Sequence, residues 1–191
     1  MKQKKINCIF YLVDDYIFLY NNEKKYLKKY QFTNYLFEGR IIKPKIIIKK
    51  LNDILKKEKI IKLFSIQNTV IIYNPNLKYI DKKIIIDVFN ECNFKSIKLI
   101  NSADILKKSK SYLEINNSYI IFYQNNKYIY FKLNELLNVE NIIKMIIRKT
   151  ENNIIVVGIN NKINMLCNSI KRLYYIENSN TYFIDKIAKK N

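Results

Sequence analysis

The chain has 191 residues, of which 49% are hydrophobic, and a formal net charge of +19 from 35 Lys and Arg against 16 Asp and Glu. This hydrophobic content argues against a disordered chain, and no apolar run approaches the ~20 residues that a transmembrane helix needs. The absence of His and of paired cysteine spacings argues against a zinc site. We expect a folded domain with no signal peptide, in which Cys8, Cys92 and Cys167 are reduced core residues.

The positive charge invites comparison with nucleic-acid-binding proteins, but the composition supplies another explanation. Arg occurs only at Arg40, Arg148 and Arg172, Gly and Pro occur twice each, and Lys, Ile, Asn and Tyr are abundant, which is typical of an AT-rich genome. Dedicated nucleic-acid readers depend on Arg for bidentate contacts. We therefore expect only weak, nonspecific attraction to RNA, DNA or an anionic membrane surface.

The first third of the chain predicts a β-hairpin and a helix. Residues 6–13 and 16–20 are apolar runs joined by Asp14-Asp15, which suits a two-residue turn. Residues 24–37 are rich in aromatics and are interpreted as strand or loop. Pro44 then fits the first turn of an amphipathic helix, and residues 60–64 are interpreted as a short edge element.

The central stretch predicts a strand, a helix and a second strand. Residues 70–73 are β-branched and end at Asn74-Pro75, which cannot continue a ladder. A helix follows over 81–92, with apolar residues at spacings of 3, 4, 7 and 8 and Asp81 as its N-cap. Residues 96–100 form the next strand, so the unit is a βαβ crossover with parallel strands.

The remaining chain alternates between short strands and helices, with no linker or repeat evident. The predicted helices cover 102–108, a segment capped by Asn138, 162–173 and 181–190. The predicted strands cover 112–115, 119–123, 128–133, 154–157 and 174–177.

This order resembles the bacterial actins MreB and FtsA. The resemblance is carried by Tyr73-Asn74-Pro75 ending a strand and by the strand 93–100 with the polar Asn101-Ser102-Ala103-Asp104 after it. In the C-terminal part it is carried by the run from Arg148 to Asn161 and by the elements that follow.

The resemblance implies an α/β, actin-like (ribonuclease-H-like) mixed sheet flanked by helices, with the second lobe largely missing. It divides a single reduced domain, 1–191, into first-lobe elements over 1–118, a remnant of the second lobe over 119–153 and a return to the first lobe over 154–191.

The phosphate-binding motifs of the actin-like ATPases are expected to be lost. Their first glycine-containing hairpin corresponds to residues 11–17, in which Tyr11 and Val13 stand where the motif has Asp and Gly. Their second corresponds to residues 122–127, which contain no acidic residue and no Gly. Bulky residues there would block backbone approach to phosphates. The resemblance leaves a vestigial nucleotide-binding set: Gly158, Asn160, Asn161, Gln124 and Asn125. We expect no catalytic residue, no metal and no ATP or Mg²⁺ as cofactor.

The preferred hypothesis is a non-catalytic actin-like structural protein that acts through protein–protein contacts or self-association in a cytoskeletal, cell-shape or division assembly. The alternative is a basic structural component of a nucleoprotein particle, such as the ribosome of an organelle or of a reduced genome. No sequence motif supports an enzyme with another active site. The expected location is the cytoplasm or an organelle matrix, with the membrane periphery as a further alternative.

Overall fold

A computed structural model describes residues 6–60, 68–106, 110–133, 138–151, 153–159, 170–176 and 181–189. The strands are β1 (Cys8–Val13), β2 (Tyr16–Asn21), β3 (Tyr26–Gln31), β4 (Leu36–Phe37), β5 (Arg40–Ile41), β6 (Asn68–Tyr73), β7 (Ser96–Asn101), β8 (Ser111–Ile115), β9 (Tyr119–Gln124), β10 (Lys127–Lys132), β11 (Ile154–Gly158) and β12 (Leu173–Tyr175). The helices are α1 (Pro44–Lys57), α2 (Tyr79–Glu91), α3 (Ser102–Ile105), α4 (Val139–Lys149) and α5 (Tyr182–Ala188).

The chain forms two compact units, one from Met1–Ser102 with Ile184–Asn191 and one from Ala103–Phe183. The first contains a sheet of order β3-β2-β1-β6-β7, and the second a sheet of order β10-β9-β8-β11-β12. In each sheet the first three strands are antiparallel and the last two run parallel to the central strand. The two units therefore share one topology, which no sequence repeat revealed.

The core of the first unit forms where helices cover the central strands. Phe10 of β1 makes edge contacts with Phe89 of α2, at 4.8 Å between ring centroids, and with Phe94, at 5.5 Å. All three rings are buried. Ile47 and Leu51 lie on the buried face of α1 in the same core, as the helical spacing predicted.

The core of the second unit forms between its sheet and α4. Ile142, Ile143 and Ile146 pack with residues of β8, β9, β11 and β12. The predicted cap is confirmed, because Asn138 Oδ1 accepts a hydrogen bond from Asn141 N at 2.9 Å. That bond satisfies one of the backbone donors that the first helical turn leaves without a helical partner.

The start of α2 differs from the prediction in its capping residue. The helix begins at Tyr79, and Asp81 lies at its third position instead of at the N-cap. From there Asp81 Oδ2 accepts a hydrogen bond from Lys78 N at 2.9 Å, while Oδ1 lies 3.2 Å from Arg40 Nε. The carboxylate thus serves the helix start from inside the first turn, as in a capping box.

A charged cluster ties β3 to the end of α1. Lys28 Nζ donates to both carboxylate oxygens of Glu58 at 2.8 Å, and Tyr30 OH donates to Oε1 at 2.8 Å. The hydrogen bond from Lys28, followed by that from Tyr30, holds the pKa of Glu58 at about 2, although burial opposes this shift. Glu58 is therefore ionised at neutral pH.

The predicted division into lobes needs a correction at two places. The resemblance assigns residues 1–118 and 154–191 to the first lobe, but Ala103–Phe183 form the second unit. Strand β8 therefore lies outside the first unit, and β11 pairs in parallel with β8 and with β12 in the second sheet. Only the segment from Ile184 onward joins the first unit. A parallel crossover through α4 places β11 beside β8, because a helix of this length returns the chain to the same sheet. The edge element predicted at 60–64 and most of the helix predicted at 162–173 lie outside the described residues.

No helix in the described ranges combines the length and the apolar character that crossing a bilayer requires.

Candidate functional site

The carboxyl ends of the parallel strands are the places where open α/β sheets bind ligands. In each unit this end carries buried polar side chains. In the first unit these side chains lie around the hairpin between β1 and β2.

In the first unit a later segment of the chain, residues 32–41, covers the β1–β2 turn, and we call it the covering segment. Asp15 O accepts a hydrogen bond from Phe32 N at 2.7 Å, and Asp14 O accepts one from Gly39 N at 3.0 Å. Gly39 has a φ of 74°, and a Cβ at this position would lie 2.8 Å from Leu12 O. The absence of a side chain at Gly39 therefore lets the segment that ends in β4 and β5 lie directly on the end of β1.

Two buried acidic residues lie at this end of the sheet, one in the β1–β2 turn and one in the covering segment. Asp14 is 4% exposed and Glu38 is 6% exposed. The amide of Asn74, at the end of β6, lies 3.5 Å from Glu38 O and is itself buried. Phosphate groups favour backbone N–H donors and cations, whereas both of these buried residues are acidic.

In the second unit the equivalent end is built around a fully buried carboxyl group. Glu114 of β8 accepts a hydrogen bond from Tyr123 OH at 2.6 Å and one from Asn116 Nδ2 at 2.9 Å. Sequence reasoning missed this group. The only available signal was an acidic residue inside the apolar strand 111–115, which predicts either an internal partner or a functional role.

Gly158 lies beside this cluster, at the end of β11. It pairs with Ile115, and a Cβ at Gly158 would lie only 2.1 Å from Ile115 O. Its φ of 128° is a conformation reserved almost entirely for glycine. Close strand packing thus accounts for the glycine without reference to a nucleotide.

The structure separates Gln124 and Asn125, two members of the predicted nucleotide set, from Gly158. Gln124 pairs across from the start of β8, where its Nε2 donates to Thr150 Oγ1 at 2.8 Å and to Ser111 Oγ at 3.3 Å. Asn125 follows in the β9–β10 turn with a φ of 51°. Gln124 lies at the start of β8, whereas Gly158 pairs with Ile115 at the end of β8. Gln124 and Asn125 therefore lie at the opposite end of the sheet from Gly158 and cannot share a ligand site with it. Asn160 and Asn161 lie outside the described residues.

The topology also corrects the assignment of the second hairpin. The hairpin at 122–127 joins β9 to β10, whereas the counterpart of β1–β2 in the second sheet is the hairpin between β8 and β9. Its turn contains Asn116, Asn117 and Ser118. Like the segment first matched, this turn contains neither glycine nor an acidic residue.

Other reactive groups add no catalytic arrangement in the described part of the chain. Burial raises the pKa of the Cys8 and Cys92 thiols to about 12, and both cysteines are free of disulfides. They are therefore protonated, which suits the predicted core role and disfavours a nucleophilic one. Cys167 lies outside the described residues. Within the described ranges no group of three or more His, Cys, Asp or Glu side chains is placed to hold a metal ion.

Comparison with known proteins gives similarity in structure alone. No known family and no curated protein sequence matches this chain. The ethanolamine utilization protein EutJ from Carboxydothermus hydrogenoformans has a TM-score of 0.67 at 10% identity, covering 97% of this chain and 90% of EutJ.

Two further structures share the fold. MreB5 of Spiroplasma citri bound to AMPPNP has a TM-score of 0.67 at 8% identity, covering 96% of each chain. A non-polymerising mutant of MamK bound to AMPPNP has a TM-score of 0.54 at 8% identity, covering 98% of this chain and 99% of MamK. The resemblance to bacterial actins read from the sequence is confirmed at the level of architecture: this chain has the mixed α/β fold of the actin-like ATPases.

Proposed function

We propose that this chain is an actin-fold protein that does not hydrolyse ATP and that acts through protein–protein contacts in a cytoskeletal, cell-shape or division assembly. The observation that carries the proposal is the closed β1–β2 turn. The carbonyl oxygens of Asp14 and Asp15 accept hydrogen bonds from Gly39 N and Phe32 N. The resemblance matches this hairpin to the first phosphate-binding hairpin of the actin-like ATPases, so a segment hydrogen-bonded over its turn supports the proposal that phosphate is not admitted there.

Electrostatics supports the same proposal. Binding a nucleoside triphosphate beside the buried acidic residues Asp14 and Glu38 would place its phosphate charges near carboxyl groups in a poorly solvated site. Such like-charge contacts oppose binding unless a cation intervenes. In the second unit, Gly158 packs against Ile115 O and leaves no room for a phosphate between those two residues.

An exposed apolar patch supports action through protein contacts. It surrounds the starts of α1 and α2 in the first unit, and β5 contacts α2 beside it. Its members are Ile42 (49% exposed), Ile46 (36%), Tyr79 (82%) and Ile80 (57%). Exposed apolar side chains carried by elements that contact one another are candidates for a protein interface. One of the structures that share the fold is that of a MamK mutant described as non-polymerising. We propose that this chain associates with copies of itself through the apolar patch.

Two measurements test the proposal. Equilibrium dialysis with ATP and Mg²⁺ should show no tight binding, and a phosphate-release assay should show no turnover above a heat-treated control. High-speed pelleting should show assembly that increases with ionic strength, because salt screens the repulsion between chains of charge +19. Replacing Tyr79 and Ile80 by Ser should reduce pelleting, whereas replacing the exposed Met145 by Ser should not. Magnesium-dependent ATP turnover would refute the non-catalytic assignment, and a monomer at every salt concentration would refute self-association.

A further inference from the structure

A cluster of basic side chains in the second unit forms a site that the proposed function does not use. Arg148, Lys149, Lys171 and Arg172 line an open hollow of about 670 Å³ together with Ile147, Thr150, Glu151 and Ile170. We call these eight residues the basic basin. Four cationic side chains and one carboxylate give it a net charge of +3.

Tertiary structure brings these residues together from two segments. Arg148 and Lys149 form the last turn of α4, and Lys171 and Arg172 form the turn before β12. Arg172 Nη1 donates to Thr150 O at 2.9 Å, which fixes its guanidinium against the end of α4. The partial negative charge of a helix C-terminus explains cations on α4 itself, but it does not require two more from another segment.

Most of the few arginines in the chain lie in the basin. Arg occurs at three positions, and two of them are in the basin. Both arginines are exposed. A guanidinium has five N–H donors in a planar fork that matches phosphate oxygens, and the bond to Thr150 uses one donor of Arg172.

An exposed aromatic side chain lies on β12, the strand that directly follows the second segment of the basin. Leu173 of β12 packs in the core against α4, and side chains alternate between the faces of a strand. Tyr175 therefore lies on the α4 side, with 41% of its surface exposed, and Tyr174 lies on the opposite face, with 51% exposed. A tyrosine ring beside cations is the arrangement that binds unpaired bases and their backbone.

We propose that the basic basin and Tyr175 bind single-stranded nucleic acid, with phosphates at Arg148 and Arg172 and a base stacked on Tyr175. This site is independent of the proposed assembly function. The open form of the hollow suits a polymer that passes through it, and the aromatic neighbour favours nucleic acid over an acidic peptide or an anionic lipid. Sequence composition had suggested only diffuse attraction.

The charge test compares two variants of equal net charge by fluorescence anisotropy with a fluorescein-labelled oligouridylate of twelve nucleotides. Arg148→Gln with Arg172→Gln removes two charges from the basin. Lys56→Gln with Lys57→Gln removes two exposed charges from the last turn of α1. The basin variant should bind roughly tenfold more weakly at 0.1 M salt, and the slope of log K against log salt should fall by about 1.4. The α1 variant should change affinity less than about twofold.

The stacking test uses the two tyrosines of β12 as a matched pair. Tyr175→Ala should weaken binding about fivefold or more with an unchanged salt slope, whereas Tyr174→Ala should leave affinity within about twofold. Arg172→Lys, which keeps the charge and removes the fork, should show an intermediate loss. Thermal melting of each variant separates lost binding from lost folding.

Three results would overturn the proposal. Equal weakening by the basin and α1 variants would mean diffuse charge. Equal effects of the two tyrosine variants would mean that no base stacks on the α4 side. Binding of phosphatidylserine vesicles or polyglutamate that depends on the arginines, without oligouridylate binding, would assign the basin to a lipid or an acidic protein.

Discussion

Replacing Gly158 by Ala should destabilise the protein severely, for a reason independent of any ligand. The added Cβ would lie 2.1 Å from Ile115 O, 2.7 Å from Ile115 C and 2.8 Å from Ile115 N. All three are backbone atoms in a strand pair, so no flexible side chain can move aside. The ends of β8 and β11 would have to separate.

The magnitude follows from three costs. Holding Ala at a φ of 128° costs about 1–3 kcal/mol. Separating the strands also disrupts the hydrogen bond from Ile159 N to Ile115 O, at 3.1 Å, which costs about 1 kcal/mol more. With the loss of packing around Ile115, we expect about 3–5 kcal/mol in total, a large part of the ~5–15 kcal/mol typical of a folded domain.

Urea denaturation followed by circular dichroism measures this cost in the absence of nucleotide. Gly39→Ala is the matched control, because its φ of 74° is less restrictive and its Cβ would lie 2.8 Å from Leu12 O. Its backbone conformation should cost about 1–2 kcal/mol, and the displacement of Leu12 O should add less than the closer contacts add at Gly158. If Gly158→Ala unfolds within about 1 kcal/mol of the wild type, or costs less than Gly39→Ala, the packing explanation for Gly158 is refuted and a ligand-related one gains support.

Three further predictions concern stability. The pKa of Glu58 is lowered from 4.5 to about 2, so its contribution to the free energy of unfolding is complete above pH ~4.5 and is lost as pH falls towards 2. Because Lys28 is 47% exposed, we expect this loss to be about 1–2 kcal/mol. Urea denaturation measures it, and the loss should be absent in Glu58→Gln. Ile143→Ala should cost about 3 kcal/mol, because the side chain is fully buried, whereas Met145→Ala on the exposed face of α4 should cost under about 1 kcal/mol; equal costs in denaturant melts would contradict the described core. Asn138→Ala should cost about 1 kcal/mol by removing the cap of α4, and Asn138→Asp should restore most of it in the same assay.

Local patterns in the sequence located most of the described elements. Alternation and β-branching placed the hairpin of β1 and β2, and the spacing of apolar residues placed α1, α2 and α4 on their buried faces. These features depend on neighbours within a few residues, which is why they are readable without a structure. The actin-like architecture followed from their order and is confirmed in the structure.

Which residues meet at each candidate site is decided by pairing between strands that are far apart in the sequence. Whether β11 returns to the first sheet or lies beside β8 is decided by packing between segments about 40 residues apart, and no local pattern encodes that choice. The same pairing separates Gln124 from Gly158 and brings Ile115 against Gly158.

The sequence by itself determined which stretches form helices and strands, because periodic burial is a local property of the chain. The tertiary structure alone decided which polar groups meet. It buried Glu114 beside Tyr123, and it brought Arg148 and Arg172 into one basin. The reason is physical: side chains far apart in sequence become neighbours only through the way in which the sheets are assembled.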